Sequence, residues 1–169
     1  PLTSLDEATS DVAIDGADQV ATGGEGGENP AAAAGGTLLK GGGGAHAREK
    51  VVDAAADRLL LVVDERKEAD RLDRAVPVEV LPAARTTVAA AVEKIGGTAE
   101  LRQAERKSGP VVTDNGNVVL DCSFGDIENP GGLADRLSAI PGAVAHGLFV
   151  GLADEIHVGT AGGVTVRES

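Results

Sequence analysis

Four short stretches hold the residues that could do chemistry. Asp15 and Asp18 bracket Gly16-Ala17, directly after the apolar Val12-Ala13-Ile14. Lys40 opens the run Lys40-Gly41-Gly42-Gly43-Gly44-Ala45, and Glu49 follows with Asp53 four residues on. Lys67 lies in a charged run that begins Asp64-Glu65-Arg66-Lys67. Glycines without Cβ atoms let a backbone approach a ligand closely, and amides at a helix start can donate to its oxygens. The like charge at Asp53, one helical turn on, suits Glu49 to act as a base. Taken singly, each stretch has a plainer reading. The glycines could be a tight turn, Asp15 or Asp18 a turn or cap residue, Glu49 a solvated helix residue, and Lys67 part of a charged loop. The signal lies in the combination, which sets two carboxylates and two ammonium groups around one crevice.

Other chemistries find no support. No Lys-Ser or Lys-Thr follows the glycines, so this is not a Walker loop. His46, His146 and His157 are dispersed without ligand spacing, and no metal is expected. His146 alternates with Val144 and Leu148 and reads as a structural histidine, whereas His46 is a minor candidate for substrate contact. There is no Gly-x-Ser-x-Gly elbow, and Cys122 reads as a small buried strand residue.

The crevice requires strands to deliver these residues. Residues 11–14 read as a strand ending at Asp15 and Asp18, Leu38-Leu39 as a second ending at Lys40, and Leu59 to Val63 as a third ending at Asp64 and Lys67. The continuous aliphatic third run is expected to be covered on both faces of a parallel sheet. A helix is expected from Ala45 to about Arg58, with Val51, Ala54 and Ala55 as its apolar stripe. Ala21 to Thr37, with six Gly, five Ala and one Pro, reads as a flexible surface loop. In open α/β sheets ligands bind beyond the carboxyl ends of the strands.

The pattern changes after Val76. Strands are expected over Val76–Leu81, Thr98–Glu105, Val118–Phe124 and Ala143–Val150. Helices are expected over residues 85–95 and around Leu133, Leu137 and Ile140, and Asp114-Asn115-Gly116-Asn117 is a hairpin signal. That order, β-α-β-β-α-β, is the ferredoxin-like arrangement. The fold class is therefore α/β: an open, mostly parallel Rossmann-like sheet domain (1–75 and 151–169, to which residues 155–166 return) with an inserted ferredoxin-like α+β subdomain (76–150).

Composition narrows the partners. The 169 residues carry 15 basic and 27 acidic side chains, a net charge of -12, which argues against nucleic acid or an anionic membrane, since both call for a basic face. With 42% apolar residues and only two aromatics, the core must be built from Ala, Val, Leu and Ile. The longest apolar run is too short to span a bilayer, no signal peptide is read, and one cysteine suits a reducing compartment. The chain opens on Pro1 and contains no Met, which reads as an N-terminally incomplete chain. A cytoplasmic protein is expected.

The motifs resemble ribose-5-phosphate isomerase type A. Asp15-Gly16-Ala17-Asp18 and Lys40-Gly41-Gly42-Gly43-Gly44-Ala45 with Arg48-Glu49-Lys50 carry the likeness. So do Val76-Pro77-Val78-Glu79-Val80, Val112-Thr113-Asp114-Asn115-Gly116-Asn117, Leu120-Asp121-Cys122, Ile140-Pro141-Gly142 and His146-Gly147-Leu148-Phe149, in the family's order over nearly the whole chain. The resemblance implies interconversion of D-ribose 5-phosphate and D-ribulose 5-phosphate in the pentose phosphate pathway, without cofactor, by a homodimer or homotetramer. It makes Glu49 the base working through a cis-enediolate. Lys40 and the amides of Gly41, Gly42 and Gly43 become the oxyanion site. Asp15 and Asp18, within the Asp15-Gly16-Ala17-Asp18 segment, bind hydroxyls, with Asp15 assisting ring opening, and Lys67 is a further substrate-binding lysine. The family's N-terminal Thr-Gly-Ser-Thr-type phosphate loop has no counterpart in this sequence. The residue set agrees with the implied chemistry, since acid, base and cation suit enolisation beside a carbonyl.

The rival readings are a non-catalytic sugar-phosphate sensor and an inactive fragment. The sensor would usually adjoin a basic helix-turn-helix, and none is seen here. The acidic excess, with ten Arg to five Lys, is the surface expected of a salt-rich cytoplasm, where screening weakens like-charge repulsion. A melting temperature that rises with molar KCl, followed by circular dichroism, is the expected outcome. A flat or falling curve overturns the salt reading.

Overall fold

The aliphatic run Leu59 to Val63 is the best point of entry, because its burial alternates. Leu59, Leu61 and Val63 are buried, while Val62 is 53% exposed. The strand is thus covered on one face among the described residues, not on both as the unbroken run suggests. The computed structural model describes residues 7, 9–21, 36–106 and 108–168. Most of the stretch expected as a loop, 22–35, lies outside them. Its two ends, Ala21 and Thr37, are buried strand residues.

In chain order the first half comprises β1 (Ser10–Asp15), β2 (Gln19–Ala21), β3 (Thr37–Leu39), α1 (His46–Ala55), β4 (Ala56–Asp64) and β5 (Glu68–Ala69). The second half comprises β6 (Val76–Val80), α2 (Arg85–Lys94), β7 (Thr98–Leu101), β8 (Val118–Ser123), α3 (Pro130–Ser138), β9 (Ala143–His146), β10 (Leu148–Val150), β11 (Glu155–Thr160) and β12 (Gly163–Glu168).

The described residues form three four-stranded sheets. The first has the order β1-β4-β11-β12, with β1, β4 and β11 mutually parallel and β12 antiparallel at the edge. Residues 155–166 do return to it, as a hairpin. The third, β7-β8-β6-β9, is antiparallel throughout and, with α2 and α3, realises the β-α-β-β-α-β order.

The second sheet was not expected. Its order is β10-β3-β2-β5, and it takes Leu38-Leu39 out of the parallel sheet where the sequence reading put them. Its strands have two or three residues each, below the length at which alternation can be recognised. Alternation is nonetheless what makes it work. Val20, Leu38 and Phe149 point into the core beneath the first sheet, and Ala21, Leu39 and Leu148 into the core of the third. A sheet with one face in each core joins the two halves.

Two further expectations are corrected. Helix α1 ends at Ala55, and its expected apolar stripe faces outward: Val51 is 61% exposed, whereas His46 and Asp53 are buried. The helix packs against β1, β4 and β9 with a polar stripe, because the site lies on that side. The strand expected over Ala143–Val150 breaks at Gly147. There β9 leaves the third sheet and β10 enters the second.

Gly147 marks a point of very close backbone approach. Its N–H donates to the Pro77 carbonyl at 2.8 Å, and its own carbonyl accepts from the Lys40 N–H at 2.8 Å. A Cβ here would stand 2.1 Å from the Lys40 carbonyl oxygen, so backbone would have to move. Gly147→Ala is expected to cost about 3 kcal/mol, read from the urea midpoint. Gly159→Ala, whose Cβ would meet only ordinary contacts, should cost far less. Equal costs would remove the close approach as the cause.

Candidate active site

Asp15 ends β1 on its inner face, in register with Leu61 of β4. Its Oδ1 accepts from the Gly16 N–H at 2.7 Å, which leaves Oδ2 for Lys40. Asp18 and Lys40 are brought together by the antiparallel pairing of β2 with β3. Gln19 opposes Leu39, and the Asp18 N–H donates to the Leu39 carbonyl at 2.8 Å.

Lys40 is 3% exposed. Burial of an ammonium is costly unless it is paired and hydrogen-bonded, and here the partners are present. Nζ lies 2.6 Å from Asp15 Oδ2, donates to the Gly16 carbonyl at 2.5 Å, and stands 3.5 Å from Glu49 Oε2. The ring of Phe149, fully buried, presents its face 5.4 Å away, an arrangement that attracts a cation. Glu49 occupies the first turn of α1, where a negative charge complements the helix dipole.

The glycine loop runs from Lys40 to this helix. Gly41 and Gly44 have φ of 106° and 76°, a left-handed conformation open to glycine, and the Gly44 N–H donates back to the Gly41 carbonyl at 3.0 Å. A Cβ at Gly42 would stand 2.9 Å from Asp18 Oδ1, and the Gly42 N–H donates to Asp18 Oδ2 at 2.7 Å. At Gly43 the space is open.

The polar stripe of α1 adds Lys50, to which the sequence gave no role, and Asp53, read there only as a like charge beside Glu49. Burial pushes Asp53 up to about 6, with the charge of Asp15 as the second cause and Glu49 a lesser one. The like-charge effect expected along the helix is therefore felt at Asp53. Lys50 donates to the carbonyls of His146 and Leu148 at 2.8 and 3.0 Å and stands 4.6 Å from the Phe149 ring centroid. Burial lowers its ammonium to about 8.

His146 is the structural residue expected. Its Nδ1 accepts from the Leu148 N–H, its Nε2 pairs with Ser138 Oγ at 3.0 Å, and burial, then Lys50, hold it down to about 4. His46 is corrected: it is fully buried beneath Gly41, its pKa lowered mainly by burial, and is out of a substrate's reach. Cys122 is buried on β8, its thiol pushed up to about 12, chiefly by burial.

The structure brings Asp15, Gly16, Asp18, Lys40, Gly41, Gly42 and Glu49 into one connected group, with Gly43 on its open side. Ala17 packs on the first core beside them. Lys67 is half-buried in the one-turn helix Glu65–Lys67 at the carboxyl end of β4, the edge where Asp15 leaves β1. Arg102 was missed. It follows β7, hydrogen-bonds the Gly41 and Gly42 carbonyls, and is paired with Asp121. Sequence offered little sign of it, since Arg102 and Asp121 lie 61 and 79 residues beyond Gly41 and Gly42 respectively.

A buried ammonium between two carboxylates, beside a glycine loop that is open at Gly43, is equipment for taking a proton from carbon and holding charge on the adjacent oxygen. It defines an enolising, aldose–ketose type of isomerase site. The family model of ribose 5-phosphate isomerase A (phosphoriboisomerase A) matches residues 1–163, and the chain belongs to that family. The ribose-5-phosphate isomerase A of Haloarcula marismortui is 62% identical over 169 residues, covering 99% of this chain and 68% of the relative. That of Natronomonas pharaonis is 63% identical with the same coverage. The structure of ribose 5-phosphate isomerase A from Methanocaldococcus jannaschii superposes with a TM-score of 0.88 at 39% identity, over 100% of this chain and 70% of that one. A D-ribose-5-phosphate isomerase in complex with phospho-erythronic acid superposes equally well at 38% identity, with the same coverage.

Asp53 gives a pH prediction. Its folded value near 6 lies above the ordinary 3.8, so the folded state gains a proton relative to the unfolded state between those values. This group therefore favours folding most below pH 4, and that contribution is lost as pH rises through 6. Asp53→Asn removes the penalty, and the variant should be more stable than the parent by about 1 kcal/mol at pH 7.5. The gain should vanish below about pH 4 in urea melts; a gain independent of pH sinks the assignment.

Proposed function

We propose that this chain interconverts D-ribose 5-phosphate and D-ribulose 5-phosphate by proton transfer through a cis-enediolate, with Glu49 as the base. The observation that carries the reading is Lys40 Nζ, 2.6 Å from Asp15 and 3.5 Å from Glu49. In the open-chain aldose the Glu49 carboxylate takes the C2 proton. The C2–H electron pair becomes the C1–C2 double bond, and the former carbonyl pair moves onto O1. Charge gathers there, and Lys40 with the amides of the glycine loop opposes it. A proton passes from O2 to O1 with Asp15 in reach, Glu49 returns its proton to C1, and C2 becomes the ketone. No net oxidant or reductant is consumed.

Asp15 and Asp18 bind substrate hydroxyls, with Asp15 assisting ring opening, and Lys67 at the same sheet edge offers a cation to the substrate. We place the reaction in the non-oxidative branch of the pentose phosphate pathway, in the cytoplasm, carried out by a homodimer or homotetramer. Among the described residues no helix is long and apolar enough to cross a membrane, and the charge of -12 supports a small anionic sugar as a partner only where Lys40, Lys67 and free amides meet it.

Glu49→Gln keeps the shape and removes the base. Its turnover should fall about a thousandfold, and so should exchange of the C2 hydrogen with solvent deuterium, while affinity for substrate changes little. Near-normal exchange in the variant overturns the assignment.

A further inference from the structure

From the second half of the chain the Arg102 side chain reaches the glycine loop. Arg102 follows β7 with its backbone fixed on both sides: its N–H donates to the Val119 carbonyl and its carbonyl accepts from the Val111 N–H, both at 2.9 Å. Its guanidinium is then shared. Nε and Nη2 grip the two oxygens of Asp121, with Nε to Oδ2 at 2.9 Å, and Nη1 donates to the Gly41 and Gly42 carbonyls at 2.7 and 3.0 Å. The Arg102 side chain is 16% exposed, and the planar fork leaves it little freedom.

We propose that Arg102, held by Asp121, is a positioning residue that fixes the peptide planes of the glycine loop so that the Gly42 amide is held on Asp18 and the Gly43 amide faces the reacting oxygen. The inference rests on the proposed reading of the site. In a trans peptide the N–H points opposite to the carbonyl of the same plane, and no cis bond occurs among the described residues. Drawing the Gly41 carbonyl towards Arg102 therefore turns the Gly42 N–H the other way, where it meets Asp18 at 2.7 Å. Drawing the Gly42 carbonyl towards Arg102 turns the Gly43 N–H away from the guanidinium. That N–H has no protein acceptor among the described residues, and the space at Gly43 is open. A chain of glycines has the greatest freedom to rotate such planes, so without the clamp the amides would have to be ordered at the moment of reaction. A charged donor on each carbonyl also polarises the peptide and strengthens its N–H as a donor.

The test compares the parent with Arg102→Lys, which keeps a charge but loses the fork, and Asp121→Asn, which frees the fork. Turnover of ribose 5-phosphate and affinity for phospho-erythronic acid, the acid held in the complex of a similar isomerase, are measured together with melting temperature. For Arg102→Lys, turnover and affinity for the acid should fall in parallel by about 30-fold, with KM within about threefold of the parent and an unchanged pH profile. Asp121→Asn should show the same split at a smaller size, and it decides the matter if Arg102→Lys does not fold. Parental turnover and acid affinity in a folded variant overturn the proposal, as does a loss of KM and kcat that simply tracks melting. Should the parent bind the acid without turning over ribose 5-phosphate, the reading of Glu49 fails. The ratio of affinities between variant and parent still decides the role of Arg102.

Discussion

The structure turns on where the Lys40 ammonium is kept. An unpaired charge at that depth would cost several kcal/mol, so the fold must bring the end of β1, the end of β3 and the first turn of α1 to one point. Asp15, the Gly16 carbonyl and the Phe149 ring surround Nζ, and Glu49 stands at the edge of the group. Asp15 and Gly16 stand at the end of β1, Glu49 on α1, and Phe149 on β10, more than a hundred residues from Lys40 in sequence. Meeting one ammonium's requirements thereby fixes the mutual placement of two sheets and a helix.

The same requirement explains α1. A helix that serves the site buries His46 and Asp53, half-buries Lys50 between them at the spacing usually given to leucines, and leaves Val51 and Val52 outside. Periodicity of apolar residues locates the helix correctly and orients it wrongly, because the rule that apolar side chains face inward presumes an apolar interior. Here the neighbouring space is lined with charge. Departures of this kind are expected at functional sites.

How much could be read from the chain follows from the distance over which each feature is encoded. Asp15, Lys40, the glycines and Glu49 stand at element ends that local patterns mark, and the β-α-β-β-α-β order declares itself through strand and helix periods. The second sheet has no local signal. Its strands of two or three residues become strands only when β2, β3, β5 and β10 are already side by side, and their alternation is visible only against the two cores they separate. Arg102 is hidden for a related reason. Its partners are backbone carbonyls, which no side-chain motif announces, and its anchor Asp121 lies across a β-ladder. Local rules thus reached the residues gathered around Lys40, and tertiary contacts alone disclose Arg102 and Asp121 behind the glycine loop.

Gly147 belongs with that second group and carries the argument further. One strand leaves the third sheet on one side of it and enters the second on the other, and the Lys40 backbone is tied to it at the crossing. In an engineer's language it is a datum, the single mark from which two separately built parts are measured. Errors of packing in either sheet are referred to the same peptide, so they do not accumulate along the chain before they reach the lysine. A residue with no side chain is suited to that office, since anything larger would set its own distance between the parts.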